Sequence, residues 1–280
     1  MASIEPPSIE TIGVAESEAV WPLSIEAGWN QNVADWRFML GIGRGFGLRG
    51  ADGKWEASSL VLPLGEKLAW ISMVLVTRAR RRGGVGTGLL RRCIADVQAS
   101  SAVAGLDATE QGRPIYLPLG FRDLYKISRW HFDGVKEMPS TTGVLPIAAA
   151  DLSAVLAYDR KLSRMDRPEL LTHLAARQPA MAFVADSGGF VLGREGRAAY
   201  SIGPVIADDE ATGLALIAKA ASSAPGPFII DVPAAHAEIR KWLERQGAVS
   251  PRGYVRMTLG SAPGLDDPSH VFALAGPELG

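Results

Sequence analysis

An apolar run, Leu68 to Val76, passes through Thr77 into Arg78-Ala79-Arg80-Arg81-Arg82-Gly83-Gly84-Val85-Gly86-Thr87-Gly88. Bounded by turn signals, the run reads as a buried strand. Beyond the glycines, Leu89, Leu90, Cys93, Ile94 and Val97 recur at the spacing of one helical face. The junction is therefore strand, loop, helix. Glycines let the backbone approach a ligand closely, the first helical N–H groups have no intrahelical partner, and arginines neutralise negative charge. Such a loop can hold a pyrophosphate, which points to a phosphorylated cofactor.

What the loop lacks narrows the choice. A nucleotide-hydrolysing loop needs Lys and Ser or Thr after its last glycine, where this chain has Leu89 and Leu90. A dinucleotide fingerprint needs a glycine three residues after Gly86, and Leu89 stands there. The one formal GxGxxG, at Gly45, Gly47 and Gly50, follows a helix-like stretch and leads into a strand-like one, the reverse of that fingerprint. It reads as a glycine-rich turn. What remains, Arg81-x-x-Gly84-x-Gly86 at a strand-to-helix junction, resembles the acyl-CoA loop of the GNAT superfamily of N-acyltransferases. The resemblance implies that Val74, Leu75 and Val76 pair with the pantetheine arm as an added strand would. It likewise implies that Arg81, Arg82, Gly83, Gly84, Val85, Gly86, Thr87 and Gly88 bind the pyrophosphate of acetyl-CoA.

The 280 residues suggest about two domains at ~150 residues each. A hydrophobic content of 47% with 21% charged residues is that of a globular chain, and a net charge of -1 gives no global field to recruit nucleic acid. The run Leu68 to Val76 is too short to span a bilayer, so no membrane association is expected. Met1 to Glu10 has acids and prolines in place of a basic segment and an apolar core, and Cys93 is the single cysteine. Both features suit a cytoplasmic protein.

Along the first half, Ile12 to Ala15 reads as a strand and Glu18 to Leu40 as two short helices bearing Trp21, Trp29 and Trp36. Strands follow at 45–49, 55–63 and 68–76, with turns at Asp52-Gly53 and Gly65-Glu66. After the loop helix come a strand at 103–106, a short helix at 112–119 and a strand at 126–132. This order matches the GNAT arrangement. The second half reads as a worn copy: strand 199–206, helix 211–221, strand 228–232, helix 235–245. In place of arginines and glycines it has Ala207-Asp208-Asp209-Glu210, whose carboxylates would repel a pyrophosphate.

The expected fold class is α+β (α/β): two tandem GNAT-like domains, each a mixed, mostly antiparallel sheet flanked by helices. Residues 1–138 form the acetyl-CoA-binding domain and 139–143 a linker. Residues 144–280 form a degenerate copy with a C-terminal tail that shapes the acceptor pocket. The chain resembles a group of bacterial two-domain GNAT proteins, of which its ending Val271-Phe272-Ala273-Leu274-Ala275-Gly276, close after Arg256-Met257, is typical.

Acyl transfer to an amine needs a polarised thioester carbonyl, a deprotonated nucleophile and a proton for the departing thiolate. A backbone N–H near Val74 suits the first. By resemblance Tyr116, four residues before Gly120-Phe121, donates to the thiolate, and the second copy has Leu243 at that place. Asp107 or Glu110 could take the amine's proton through water. By the same resemblance Trp29-Asn30-Gln31 falls in the acceptor lip, with Tyr200 and Asp231 as second-half pocket walls. Cys93 lies on the buried helix face, and His131, His173, His236 and His270 lack metal-site spacing. The reading is an acetyl-CoA-dependent N-acetyltransferase for a small amine or amino acid derivative, monomeric or homodimeric, without metal. Its rivals are a non-catalytic acyl-CoA sensor and a nucleic-acid module built on the arginine cluster.

Overall fold

The computed structural model describes residues 9–260 and 267–280. Residues 1–8, on which most of the argument against a leader segment rests, lie outside them. The first half supplies β1 (Glu10–Ile12), three helices α1 (Ser17–Val20), α2 (Pro22–Glu26) and α3 (Val33–Ile42), then β2 (Arg44–Arg49), β3 (Trp55–Pro63) and β4 (Leu68–Val76). The loop helix α4 (Val85–Ala99) follows, then β5 (Val103–Thr109), the single turn α5 (Arg113–Tyr116) and the long β6 (Phe121–Phe132). The second half repeats the order. It has β7 (Val144–Pro146), α6 (Leu152–Ser163), α7 (Pro168–Arg177), β8 (Phe183–Ala185), β9 (Gly189–Glu195) and β10 (Tyr200–Ala207). It ends with α8 (Glu210–Ala221), β11 (Phe228–Pro233), α9 (Ala237–Arg245), β12 (Val249–Leu259) and β13 (Val271–Ala273).

The glycine frame at 45–50 falls mainly within β2, where neighbours crowd the backbone: a Cβ at Gly47 would come within 2.7 Å of the Ala57 carbonyl. These glycines serve strand packing. The first strand begins earlier than its sequence pattern suggests, and Val14–Glu16 forms a 3-10 turn.

All strands described join one mixed, mostly antiparallel sheet, ordered β1-β2-β3-β4-β5-β12-β6-β11-β10-β9-β8-β7, with β13 on β10. This order carries one sheet through both halves of the chain. One long strand of each half has crossed to the other: β12 lies against β5, and β6 lies against β11. The crossing strands also pair with each other, antiparallel, from Phe121 to His131. The exchange covers strand edges that would otherwise present unpaired N–H and C=O groups.

Two buried ion pairs fasten the exchange, one in each direction. Arg256 of β12 stands opposite Asp107 of β5 and grips both its carboxylate oxygens at 2.9 Å. Arg129 of β6 stands opposite Asp231 of β11 and does the same at 2.8 and 2.7 Å. A fork-to-fork guanidinium–carboxylate pair fixes register as well as charge. The Arg256 guanidinium also lies 4.6 Å over the Trp70 ring.

Three apolar cores follow from this layout. One lies under α4 and includes Phe46, Ile71, Leu89, Cys93 and Met257. A second packs α8 and α9 on the other half through Ile217, Phe228, Trp242 and Phe272. The largest is shared, joining Trp36, Met39 and Leu60 of the first half to Leu170, Leu174 and Phe190 of the second. The helical layers therefore lock the halves together on one side of the sheet.

Candidate active site

Strands β4 and β5 run parallel and pair only from Leu68–Val103 to Trp70–Gly105. Gly105 admits the Trp70 ring, whose nearest carbon is 2.5 Å from where a Cβ would sit. Beyond that point β5 continues beside β12 and β4 stays with β3, so the two strands part and a cleft opens between them. Its walls include Ile71, Ser72, Met73 and Val74 from β4, and Leu106, Asp107 and Thr109 from β5. Among the described residues, the edge of β4 from Ile71 onward has no strand partner on this side.

Met73 and Val74 form a bulge, marked by a register shift against β3 and a positive φ of 50° at Met73. The buried Ser58 hydroxyl donates to the Met73 carbonyl at 2.9 Å and holds the bulge in place. Bulges re-aim backbone groups beside reacting centres. Here the bulge lies at the centre of the cleft wall.

From the cleft an open groove continues along Val74, Leu75 and Val76 to Arg81 and Gly86, with Glu110, Gly112, Ile115 and Tyr116 opposite. Gly84 caps α4 at φ 76°, a left-handed conformation that glycine adopts without steric cost. The first α4 hydrogen bond back to this cap comes from Gly88, so the N–H groups of Val85, Gly86 and Thr87 precede the intrahelical ladder. Arg81 donates from Nε to the Val76 carbonyl at 3.1 Å, and Arg80 pairs with Glu56 at 2.7 Å. Arg82, Gly83 and Gly84 remain exposed. An added strand fits the free β4 edge, and a phosphate fits the open helix end.

Tyr116 lines both cleft and groove. Its ring packs 6.0 Å from Phe121, and burial pushes its phenol up to about 12, with the neighbouring Cys93 adding to the shift. Cys93 is itself pushed up to about 12 by burial, which removes it as a nucleophile.

Other residues singled out from the sequence occupy different places. Asp107 reaches the cleft wall, and its carboxylate is fully buried in the ion pair with Arg256. Asp231 does not line the cleft; it stands behind Arg129, which does. Trp29 lines cleft and groove, whereas Trp36 is wholly buried in the shared core. Asn30 is a clasp: its side chain donates to Ala199 O at 2.9 Å and accepts from Ala198 and Ala199 N–H. Tyr200 packs against Phe228, 6.1 Å away, and lies outside the cleft. Neither Asn30 nor Tyr200 can contact an acceptor there.

Gln31 of the expected acceptor lip lines the cleft, and so do three residues without a sequence signal: Arg252, Tyr254 and Glu278. Tyr254 and Arg252 arrive on the exchanged strand β12. Glu278 arrives on the C-terminal tail, which is tied down by Trp70 Nε1 donating to Pro277 O at 2.8 Å and by the buried Arg194–Glu278 pair.

The second half shows what the same place looks like when filled. There β10 and β11 pair from Tyr200–Phe228 to Ile202–Ile230 and then part. The gap holds β13, paired with β10 at Val205 and Ile206, while Leu274 N–H donates to Asp231 O at 2.9 Å. The chain's own tail thus occupies the edge that is free on β4. At the α8 N-terminus, Asp209 caps Thr212 N–H at 2.8 Å and Glu210 accepts from Glu238 and Ile239 N–H.

No helix among the described residues is long and apolar enough to cross a membrane, and no cluster of metal-ligating side chains occurs among them. The profile of the acetyltransferase (GNAT) domain family matches residues 155–273, which is the second half. The chain is 24% identical over 229 residues to the uncharacterized N-acetyltransferase YitH of Bacillus subtilis (strain 168), covering 79% of this chain and 80% of the relative. It is 26% identical over 259 residues to holothin acyltransferase of Pseudoalteromonas sp. (strain SANK 73390), covering 90% and 87%. In structure it resembles a putative acetyltransferase from Pyrococcus horikoshii at TM-score 0.80 and 20% identity, across 100% of this chain and 98% of that one.

Proposed function

We propose that this chain, whose residues 155–273 match the acetyltransferase (GNAT) domain family, is a GNAT-type acyltransferase that transfers an acetyl group from acetyl-CoA to the amine of a small molecule in the first-half cleft. The observation that carries the reading is the contrast between the halves. The β4 edge is free and leads to an open helix N-terminus, while the β10 edge is filled by β13 and its helix end by carboxylates. One working cleft in residues 1–138, completed by residues 144–280, follows from that contrast.

Val74, Leu75 and Val76 would hold the pantetheine amides, and Arg81 with the amides from Arg82 to Gly88 would hold the pyrophosphate. Acetyl-CoA supplies an activated thioester when bound. The Met73–Val74 bulge presents backbone N–H to its carbonyl oxygen. As the amine nitrogen bonds to the carbonyl carbon, the C–S bond breaks, the amine gives up its proton to water in the open groove beside Glu110, and the thiolate takes one up. Tyr116 stabilises that thiolate as a hydrogen-bond donor. With the phenol near 12 and a thiol near 8.5, full proton transfer is uphill by ~5 kcal/mol, so the phenol keeps its proton through the bond-breaking step.

Thiol release from acetyl-CoA, followed across a panel of small amines, tests the reading. Arg81→Glu is expected to raise the acetyl-CoA KM at least tenfold with little change in kcat, and Tyr116→Phe to lower kcat with little change in KM. Acetyl-CoA binding without thiol release for any amine would favour a non-catalytic acyl-CoA sensor. Unchanged acetyl-CoA binding in Arg81→Glu would sink the loop assignment.

A further inference from the structure

The lining of the cleft carries both acidic and basic side chains. Within it, Glu278 is 4% exposed, and the equally buried Gln31 has a side-chain oxygen with no hydrogen-bond partner. Both are hydrogen-bond acceptors, which an amine or ammonium requires. An orphaned amide oxygen in a polar cavity carries a desolvation penalty that a ligand donor would relieve. At the mouth stands Arg252, which also lines the acyl-CoA groove and a second hollow bounded by His131, Asp133 and Arg197. Its guanidinium lies 5.7 Å over the Tyr254 ring and, among the described residues, has no ion pair or hydrogen bond. The two other arginines nearest the cleft, Arg129 and Arg194, are each held by a buried carboxylate. Arg252 is therefore the charge left for a ligand.

We infer that the acceptor is zwitterionic, an amino acid or a close derivative. Its amine lies at Glu278 and Gln31, beside the Met73–Val74 bulge, and its carboxylate is held by Arg252. An arginine with an open fork takes a carboxylate in bidentate fashion. The amine's fate rests on the acyl-transfer reading; the binding does not.

Calorimetric titration of the CoA-loaded full chain with the proteinogenic amino acids and their decarboxylated amines tests this. At least one amino acid is expected to bind tenfold or more tightly than its decarboxylated counterpart. Arg252→Gln should erase that ratio, and Arg252→Lys should restore part of it, with the melting temperature unchanged in both variants. The inference falls if no amino acid binds, if the decarboxylated amines bind equally well, or if Arg252→Gln leaves the ratio unchanged. Amino-acid binding without thiol release would sink the transfer reading and leave this one standing. Thiol release to plain amines in preference to amino acids would do the reverse.

Discussion

At the scale of single residues, Asp107 shows how a chemically reasonable role is redirected by a partner 149 positions away in the chain. A carboxylate at the end of a cleft-lining strand is well placed for a base, and only the arrival of Arg256 turns it into one half of a fastener. Removing one member of a buried pair leaves the other charge uncompensated, at a cost of about 3–5 kcal/mol. Asp107→Asn should lower the denaturant midpoint by that amount of stability. The folded variant should keep the shape of its kcat/KM pH profile, because the titrating proton acceptor is elsewhere. Loss of the acid limb of that profile would return Asp107 to the chemistry.

At the scale of elements, the C-terminal tail does three jobs: β13 fills the second cleft, Glu278 lines the first, and Pro277 anchors Trp70. His236 holds the start of this tail. Its Nε2 lies 2.8 Å from Pro268 O and 2.9 Å from Val271 O, so that nitrogen carries the proton it shares between two carbonyls. Burial holds the imidazole below its ordinary value of 6.5 despite the two carbonyls, which act the other way. Below that value the unfolded chain binds more protons than the folded one, so stability is full above about pH 6.5 and falls as the pH drops. His131 and His173 are shifted the same way. The expected signature is therefore a difference: between pH 7.5 and pH 5, wild type should lose more melting temperature than His236→Gln. Equal losses would show that His236 does not hold the tail in its neutral form.

The same elements show what a sequence pattern carries. The strand, glycine and helix signals around Arg81 to Gly88 are local, and so is the spacing of Tyr116 before Gly120-Phe121; both are legible without a partner. Strand β12 is not, because Pro251 and Gly253 interrupt a run whose Tyr254, Arg256 and Thr258 alternate with Val255, Met257 and Leu259. Arg252, Tyr254 and Glu278 reach the cleft only through strand exchange and tail threading, long-range pairings that no local periodicity encodes. Asn30 and Tyr200 carry suitable chemistry in the wrong place for the same reason: the packing between halves decides which of them faces the cleft.

At the scale of the whole molecule, the two halves are one folding unit. The first half by itself would lack β12, leaving the β5 edge unpaired, Asp107 buried without its arginine, and half of the shared core open to water. Its own β6 would extend without β11, a long strand with Ile127, Trp130 and Phe132 exposed on a free edge. Such an edge invites self-association. Residues 1–138 expressed alone should therefore aggregate or fail to bind acetyl-CoA, even though they contain every residue of the acyl-CoA groove except those on β12. Co-expression with residues 139–280 should restore binding, because each fragment carries the strand that completes the other. Size-exclusion chromatography with calorimetric titration by acetyl-CoA reads both outcomes. A monomeric first half that binds acetyl-CoA as tightly as the intact chain would mean that the exchanged strands decorate a self-sufficient domain instead of building one.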